Sequence, residues 1–134
     1  MSVGPLATVP VGNDERLARF IVVEKYVRAN QTVRFEAFRP YKYVELSVSR
    51  HRDLSEDELW SLGAEVAAKI GKPLLGRADL RAAAVRAVRL EVKPDEPPRN
   101  HANIVGWAAE KSAQLSHAQA LAAAAGKLVP APAA

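Results

Sequence analysis

The segment from Arg99 to Trp107, RNHANIVGW, brings together the residue types in this chain that are best suited to proton transfer. His101 and Asn103 are two residues apart, so both side chains point to the same side if the segment is extended. An imidazole beside an amide suits proton transfer and substrate orientation. In the structural interpretation, both side chains instead bond to backbone groups and fix the segment against a sheet, with Trp107 packed beneath. We favour the structural interpretation, because a site here needs partners from elsewhere.

Candidates for those partners lie in the tetrapeptide GRAD, which ends at Asp79. Arg77 can clamp a phosphate or carboxylate with two parallel hydrogen bonds, and Asp79 can orient His101 or act as a base. The simpler interpretation is that Asp79 caps a helix and Arg77 pairs with a surface acid. We favour that interpretation, and only spatial convergence with His101 would make the tetrapeptide part of a site.

Two further basic residues complete the set of candidates. Arg50 lies with His51 and Arg52 at the end of a predicted strand and could bind a phosphate, although such clusters are more often solvated strand ends. Lys111 could assist His101 in an enzyme.

Several kinds of site are disfavoured by what the sequence lacks. The 134 residues contain no cysteine, which excludes disulfides, thiolate zinc sites and a cysteine nucleophile. The three histidines share no ligand spacing, and HExxH, GxSxG, the P-loop and GxGxxG are all absent. The sequence therefore predicts no metal, no cofactor and no serine triad.

The net charge of +4 is mild, but its distribution is uneven. Between Lys69 and Lys93 there are seven basic residues and two acidic ones. This segment suggests nucleic-acid binding through a helix-turn-helix, yet GKPLLGRAD is longer than the usual turn and the second helix runs into a strand. An exposed strand face accounts for the basic spacing equally well.

The elements that must position these residues begin with strands. β-Branched and aromatic residues from Ala18 onward, the alternation in NQTVRFEAF and the clear alternation in YVELSVSR predict three antiparallel strands before Arg50. Further strands are predicted from Val88 to Lys93, after a short helix capped by Asp79, and in HANIVGW.

Two longer helices are predicted. In LSEDELWSLGAEVAAKIGKP, Ser55 and Glu58 form a capping box, and Gly71 marks the end. Its apolar face, which should cover the sheet, consists of Leu59, Leu62, Val66 and Ile70. The second helix, Glu110 to Lys127, has only a thin apolar stripe.

These elements predict an α+β fold with a small antiparallel sheet of about four strands, covered on one face by the capped central helix and the C-terminal helix. We expect one domain over residues 17–128, a flexible lead-in over 1–16 and a disordered tail over 129–134. Because no run approaches the ~20 apolar residues of a membrane span, a soluble, cytoplasmic protein without membrane contact is expected.

Three segments, FRPYKYVELSVSRHRDLSEDELWSLG, GRADL and NHANIVGW, resemble the pattern of a family of small uncharacterised bacterial proteins. The resemblance covers roughly residues 17–128, and the matching positions are Trp60, Arg77, Asp79, His101, Asn103 and Trp107. It implies a single compact unit. No established activity comes with the family, so the resemblance supplies no catalytic residues.

For function, the sequence favours a non-enzymatic accessory protein whose partner is another protein, with Tyr41, Tyr43 and Trp107 as exposed aromatic contacts. The first alternative is a small enzyme for a phosphorylated or nucleotide substrate. In that enzyme His101 is the acid/base, Asp79 orients it and Arg77 or Arg50 holds the anion. The second alternative is the nucleic-acid-binding protein. Partner identity and oligomeric state are not determined by the sequence.

Overall fold

A computed structural model describes residues 9–40 and 44–132 of the chain. Within these residues, six antiparallel strands form one open sheet in the order β4-β5-β2-β1-β3-β6. The elements in chain order are β1 (Arg16–Ile21), β2 (Leu46–Arg50), α1 (Glu56–Ile70), β3 (Gly76–Arg81), α2 (Ala82–Ala87), β4 (Glu91–Pro94), β5 (His101–Val105), α3 (Lys111–Ala124) and β6 (Val129–Pro130). The α+β antiparallel class is confirmed, but the sheet is larger than the four strands expected.

The two faces of the sheet are covered by different helices. Leu17 and Ile21 of β1 point to one face and join a core that includes Leu121 of α3. Phe20 points to the other face and packs with Leu59 of α1. The prediction that α1 and α3 share a face is therefore wrong. A central strand is buried on both sides, so its continuous apolar pattern does not indicate which helix covers which face.

The predicted strand in NQTVRFEAF is also wrong. Phe35–Phe38 is a short 3₁₀ helix, and Val33 makes only an isolated bridge to Val27. Ala37 and Phe38 are adjacent and both fully buried, which a strand with one solvent-facing side does not allow.

The GRAD segment is a strand rather than the start of a helix. All six residues of β3 pair with β1, and α2 begins only after Arg81, so Asp79 caps no helix. Residues 76–81 alternate between the two faces, with Ala78 and Leu80 in the larger core. The other face of this strand is polar, and yet Arg77 is buried and Asp79 mostly buried, a pattern that sequence periodicity does not anticipate. The next strand, β4, starts at Glu91, later than predicted.

The C-terminal elements differ from the predicted bounds. α3 ends at Ala124, before the predicted Lys127. Val129 and Pro130 lie in the predicted disordered tail, yet they form β6. They pair with Arg77 and Gly76 of β3.

The capping box of α1 is confirmed. Ser55 Oγ accepts a hydrogen bond from the backbone N–H of Glu58 at 3.1 Å, and Glu58 Oε1 accepts one from the backbone N–H of Ser55 at 2.9 Å. The helix ends at Gly71, whose φ of 79° is left-handed.

The buried face of α1 matches the predicted one only in part: Leu59 is buried and Leu62 packs against its cluster. The residues that pack most closely on the sheet are Leu59, Gly63 and Ala67, whereas Val66 is 36% and Ile70 53% exposed. A Cβ atom at Gly63 would lie 2.6 Å from the Phe20 ring, so only glycine permits this close approach. Gly63 and Ala67 allow α1 to approach the sheet closely, and Val66 and Ile70 lie beside this contact.

Candidate functional site

An open cleft lies between the C-terminal half of α1 and the sheet. It consists of two neighbouring cavities of about 190 Å³ and about 330 Å³, which share Ser49 and Val66 in their walls. The smaller cavity lies where β1 and β2 diverge, since these strands pair at only two positions, and the larger one reaches His101. We call the two cavities together the α1 cleft.

His101 is held from both sides of its ring. Its Nδ1 lies 3.0 Å from the carbonyl oxygen of Asp95, and its Nε2 lies 2.7 Å from Ser47 Oγ. A carbonyl oxygen can only accept a hydrogen bond, so in the neutral ring Nδ1 carries the proton and Nε2 presents its lone pair. The Ser47 hydroxyl therefore donates to Nε2.

Asp95 connects the two polar residues of β5. Its Oδ2 accepts a hydrogen bond from Asn103 Nδ2 at 3.0 Å and lies 3.3 Å from His101 Nδ1. His101 and Asn103 thus share a side, as the sequence predicts, and they meet Ser47 and Asp95. Their partners are not the expected Arg77 and Asp79.

No motif in the sequence indicates the contact between Ser47 and His101 directly. Strand β2 pairs with β5 so that Ser49 lies opposite His101 and Ser47 opposite Asn103. This pairing brings together Ser47 and His101, which are 54 positions apart. In the sequence, only the polar alternation in YVELSVSR is related to it. Ser47 lies within a strand and not at the strand-to-helix turn where a GxSxG serine lies.

Arg77 and Asp79 form a separate polar cluster near the N-terminus of α1. The two terminal nitrogens of Arg77 bind the Glu56 carboxylate, each at 3.0 Å, and its Nε lies 3.1 Å from Asp79 Oδ1. The guanidinium carbon also lies 4.7 Å from the centre of the Trp60 ring. Arg77 is therefore buried with its charge compensated.

The expectation that Asp79 orients His101 is wrong. Asp79 Oδ1 binds His51 Nε2 at 2.9 Å. Across the sheet, Ala18 and Ser49 separate Asp79 from His101 in register. Three spacings between strands of about 4.8 Å put the two backbones roughly 14 Å apart.

Arg50 is not available to a ligand, contrary to its role as an anion-binding candidate. Its guanidinium binds the carboxylate of Glu15 through Nε and a terminal nitrogen, and it donates to the carbonyl oxygens of Val9 at 2.7 Å and Pro10 at 3.3 Å. Arg50 therefore attaches the segment before β1 to the end of β2.

Lys111 does not join His101. It is the first residue of α3, which packs on the opposite face of the sheet, and it lines a different cavity with Arg39 and Gln114.

Trp107 is a core residue and not an exposed contact. It is 8% exposed, its Nε1 donates to the carbonyl oxygen of Ile104 at 2.9 Å, and its ring packs edge-on against His117. The other two predicted aromatic contacts, Tyr41 and Tyr43, lie outside the described residues.

Some basic side chains of the 69–93 segment form ion pairs within the chain. Arg77 is bound to carboxylates as described above, and Arg86 binds Glu91 at 2.9 Å and Asn13 at 2.6 Å. Two of the seven basic side chains of this segment are therefore hydrogen-bonded within the chain, which leaves five for a nucleic-acid interface.

Arg19 is the residue in the cleft that sequence reasoning missed. Its side chain lines the smaller cavity and donates to the carbonyl oxygens of Ala37 at 2.8 Å and Ser47 at 3.0 Å. Over residues 9–40 and 44–132, no carboxylate forms an ion pair with it. Burial lowers the pKa of Arg19 to about 10, an effect that Tyr26 partly opposes. The guanidinium is still charged at neutral pH, so the cleft contains a cation whose protein partners are neutral.

Two absences concern the described part of the chain alone. No group of three or more His, Cys, Asp or Glu side chains there is placed to hold a metal ion. None of its helices has both the length and the apolar character needed to cross a membrane.

The Arg77–Asp79 cluster makes an acid-sensitive contribution to stability. Desolvation raises the pKa of Asp79, but the hydrogen bond and charge of His51 and the charge of Arg77 outweigh it, so the pKa is lowered. A carboxylate with a lowered pKa stabilises the fold above its unfolded pKa of about 3.9, and this contribution is lost as the pH falls through the folded value.

We therefore expect the stability difference between the native chain and Asp79→Asn to be largest near neutral pH and to shrink as the pH falls below about 4. Urea unfolding between pH 3 and pH 7 measures this difference. Asp14→Asn, at a side chain that is 98% exposed, is the control and should leave stability unchanged. A difference that stays constant across this range would contradict the assignment.

Comparisons with known protein families, with curated proteins and with solved structures gave no match to this chain. The functional argument therefore depends on the geometry of the α1 cleft.

Proposed function

We propose that this chain is a binding protein for a small organic anion, which it holds in the α1 cleft through Arg19. The observation that carries the proposal is the charged Arg19 side chain in a cavity wall, paired within the described residues with carbonyl oxygens alone. Arg19 is partly buried, and an anionic ligand would supply the counter-charge that its carbonyl partners do not.

The donors of Arg19 support recognition of a carboxylate or a phosphate. The bonds to Ala37 and Ser47 use Nε and one terminal nitrogen. Within the described residues, no hydrogen bond is found for the second terminal nitrogen. A planar guanidinium presents its N–H groups in a fork that matches the oxygens of these two anions.

The apolar part of the cleft wall favours a ligand that also has an apolar part. Val66 and Ile70 of α1 line the smaller cavity and remain substantially exposed, and Leu62 lines the larger one. The two cavities together reach the ~300–1,000 Å³ range of small-molecule pockets. An aliphatic or aromatic carboxylate would place its charge at Arg19 and cover these side chains.

The role of accessory protein with a protein partner, which the sequence favoured, has less support than this one. Trp107, one of the three aromatic contacts proposed for it, is buried in the core. The α1 cleft offers both charge and apolar surface to a ligand.

Binding of hexanoate, benzoate and phenyl phosphate, with hexanol and benzyl alcohol as neutral analogues, tests the proposal. We expect at least one of the anions to bind saturably, and Arg19→Gln to weaken that binding by about tenfold or more, because a charge-assisted hydrogen bond is lost. Calorimetric titration gives the affinity, and ¹⁵N-edited NMR spectra should place the shifts around Ser47 and Val66.

Arg34→Gln is the matched control, since Arg34 is exposed and lies outside the cleft. It should bind as the native chain does. The proposal fails if no anion binds at millimolar concentration, if the neutral analogues bind equally well, or if Arg19→Gln leaves the affinity unchanged.

A further inference from the structure

We infer that Ser47 is a nucleophile activated by His101, so that the α1 cleft also cleaves carboxylic esters. This inference goes beyond the binding function and stands on separate contacts. They are the hydrogen bond between Ser47 and His101 and the bond that orients the His101 ring.

The arrangement meets the first requirement for an activated serine, which is a base in the correct tautomer. The Asp95 carbonyl oxygen holds the proton on His101 Nδ1, so Nε2 can accept the proton of the Ser47 hydroxyl at 2.7 Å. The backbone N–H of Asp95 also donates to the carbonyl oxygen of His101 at 2.9 Å. This reciprocal contact keeps the orienting carbonyl in place.

Asp95 also provides a negative charge for the protonated ring. Its Oδ2 lies 3.3 Å from His101 Nδ1 and is itself held by Asn103. When His101 takes the serine proton, this carboxylate stabilises the imidazolium. Asp95 is therefore a positioning residue that acts through His101.

Ser47 is accessible to a substrate. The residue is exposed on the sheet and lines the smaller cavity. A terminal nitrogen of Arg19 donates to the Ser47 carbonyl oxygen at 3.0 Å. That bond engages the backbone of the residue that carries the nucleophile.

The reaction balances with water as the only co-reactant. Ser47 Oγ forms a bond to the acyl carbon while its proton passes to His101 Nε2, and the bond from that carbon to the alkoxy oxygen breaks. The leaving alkoxide takes the proton from Nε2 and departs as the alcohol. Water then attacks the acyl-serine, gives a proton to Nε2 and releases the carboxylic acid, after which the proton returns to Ser47.

A fluorophosphonate probe tests the nucleophile directly. Ser47 Oγ would bond to phosphorus, the P–F bond would break, fluoride would leave and the serine proton would pass to His101. Intact mass spectrometry of the full chain should show one adduct, and fragmentation should map it to Ser47. We expect Ser47→Ala to abolish this adduct and His101→Gln to slow its formation by about a hundredfold or more.

Ser112→Ala is the matched control, because Ser112 is also exposed but lies on α3, on the other face of the sheet. The Ser112→Ala variant should be labelled at the native rate. Circular dichroism shows whether each variant is folded. Native chain that is not labelled, an adduct on another residue, or a folded His101→Gln variant labelled at the native rate would each overturn the inference. Binding of benzoate without any labelling would overturn it and leave the anion-binding proposal standing.

Discussion

Replacing Arg77 with methionine should lower the free energy of unfolding by about 3–5 kcal/mol, which is the typical cost of breaking a buried ion pair by removing one partner. Asp79 is only 15% exposed, so without Arg77 its charge would depend on the single hydrogen bond from His51. Glu56 is more exposed and loses little when its partner is removed. The contact with Trp60 would also be lost.

Denaturant unfolding at neutral pH measures this effect, with the transition midpoint falling and its slope unchanged. Arg81→Gln is the matched control, because Arg81 belongs to the same strand but is exposed and lies 3.8 Å from an exposed carboxylate. It should change stability by less than about 0.5 kcal/mol. Adding Asp79→Asn to the Arg77 variant should recover part of the loss, since it removes the uncompensated charge. A loss below about 1 kcal/mol for Arg77→Met would contradict the description of this cluster as a buried pair.

Replacing Trp107 with alanine should also cost about 3–5 kcal/mol, because a large side chain would leave a cavity in the core. Trp107 packs in the larger cluster and edge-on against His117. Its N–H bond to Ile104 would be lost with the ring, so the Ile104 carbonyl oxygen would lose that donor.

Thermal and denaturant unfolding of the Trp107 variant measure the loss. Leu115→Ala provides the comparison, since Leu115 is an apolar residue of α3 that is partly exposed, and it should cost clearly less. If Trp107→Ala is as stable as the native chain, Trp107 is not a core residue. The prediction that it is an exposed contact would then be favoured again.

Some features were predictable because they depend on neighbours in the chain. The start of α1 follows from Ser55 and Glu58, which are three residues apart and bond to each other's backbone. The shared side of His101 and Asn103 follows from their spacing in a strand. Both results need only local geometry.

Other features were wrongly predicted because a local pattern had two physical meanings. An aspartate before alanines can cap a helix, but Asp79 lies in a strand, where Arg77 and His51 compensate its charge. An apolar stripe on α1 can face the sheet, but Gly63 and Ala67 allow closer packing and therefore leave Val66 beside the cleft. In each case the contact with a distant strand decided the outcome.

The sequence by itself determined that this chain is α+β, that α1 begins at a capping box and that His101 and Asn103 lie on one side of a strand. Only the tertiary structure decided which residues meet there, because the pairing of β2 with β5 brings Ser47 to His101 across 54 positions of the chain. It also decided that Arg77 is buried with carboxylates while Arg19 bonds to carbonyl oxygens in a cavity wall. Both side chains are arginines in strands of similar pattern, and only the neighbouring chain segments determine whether a carboxylate or a cavity lies next to them.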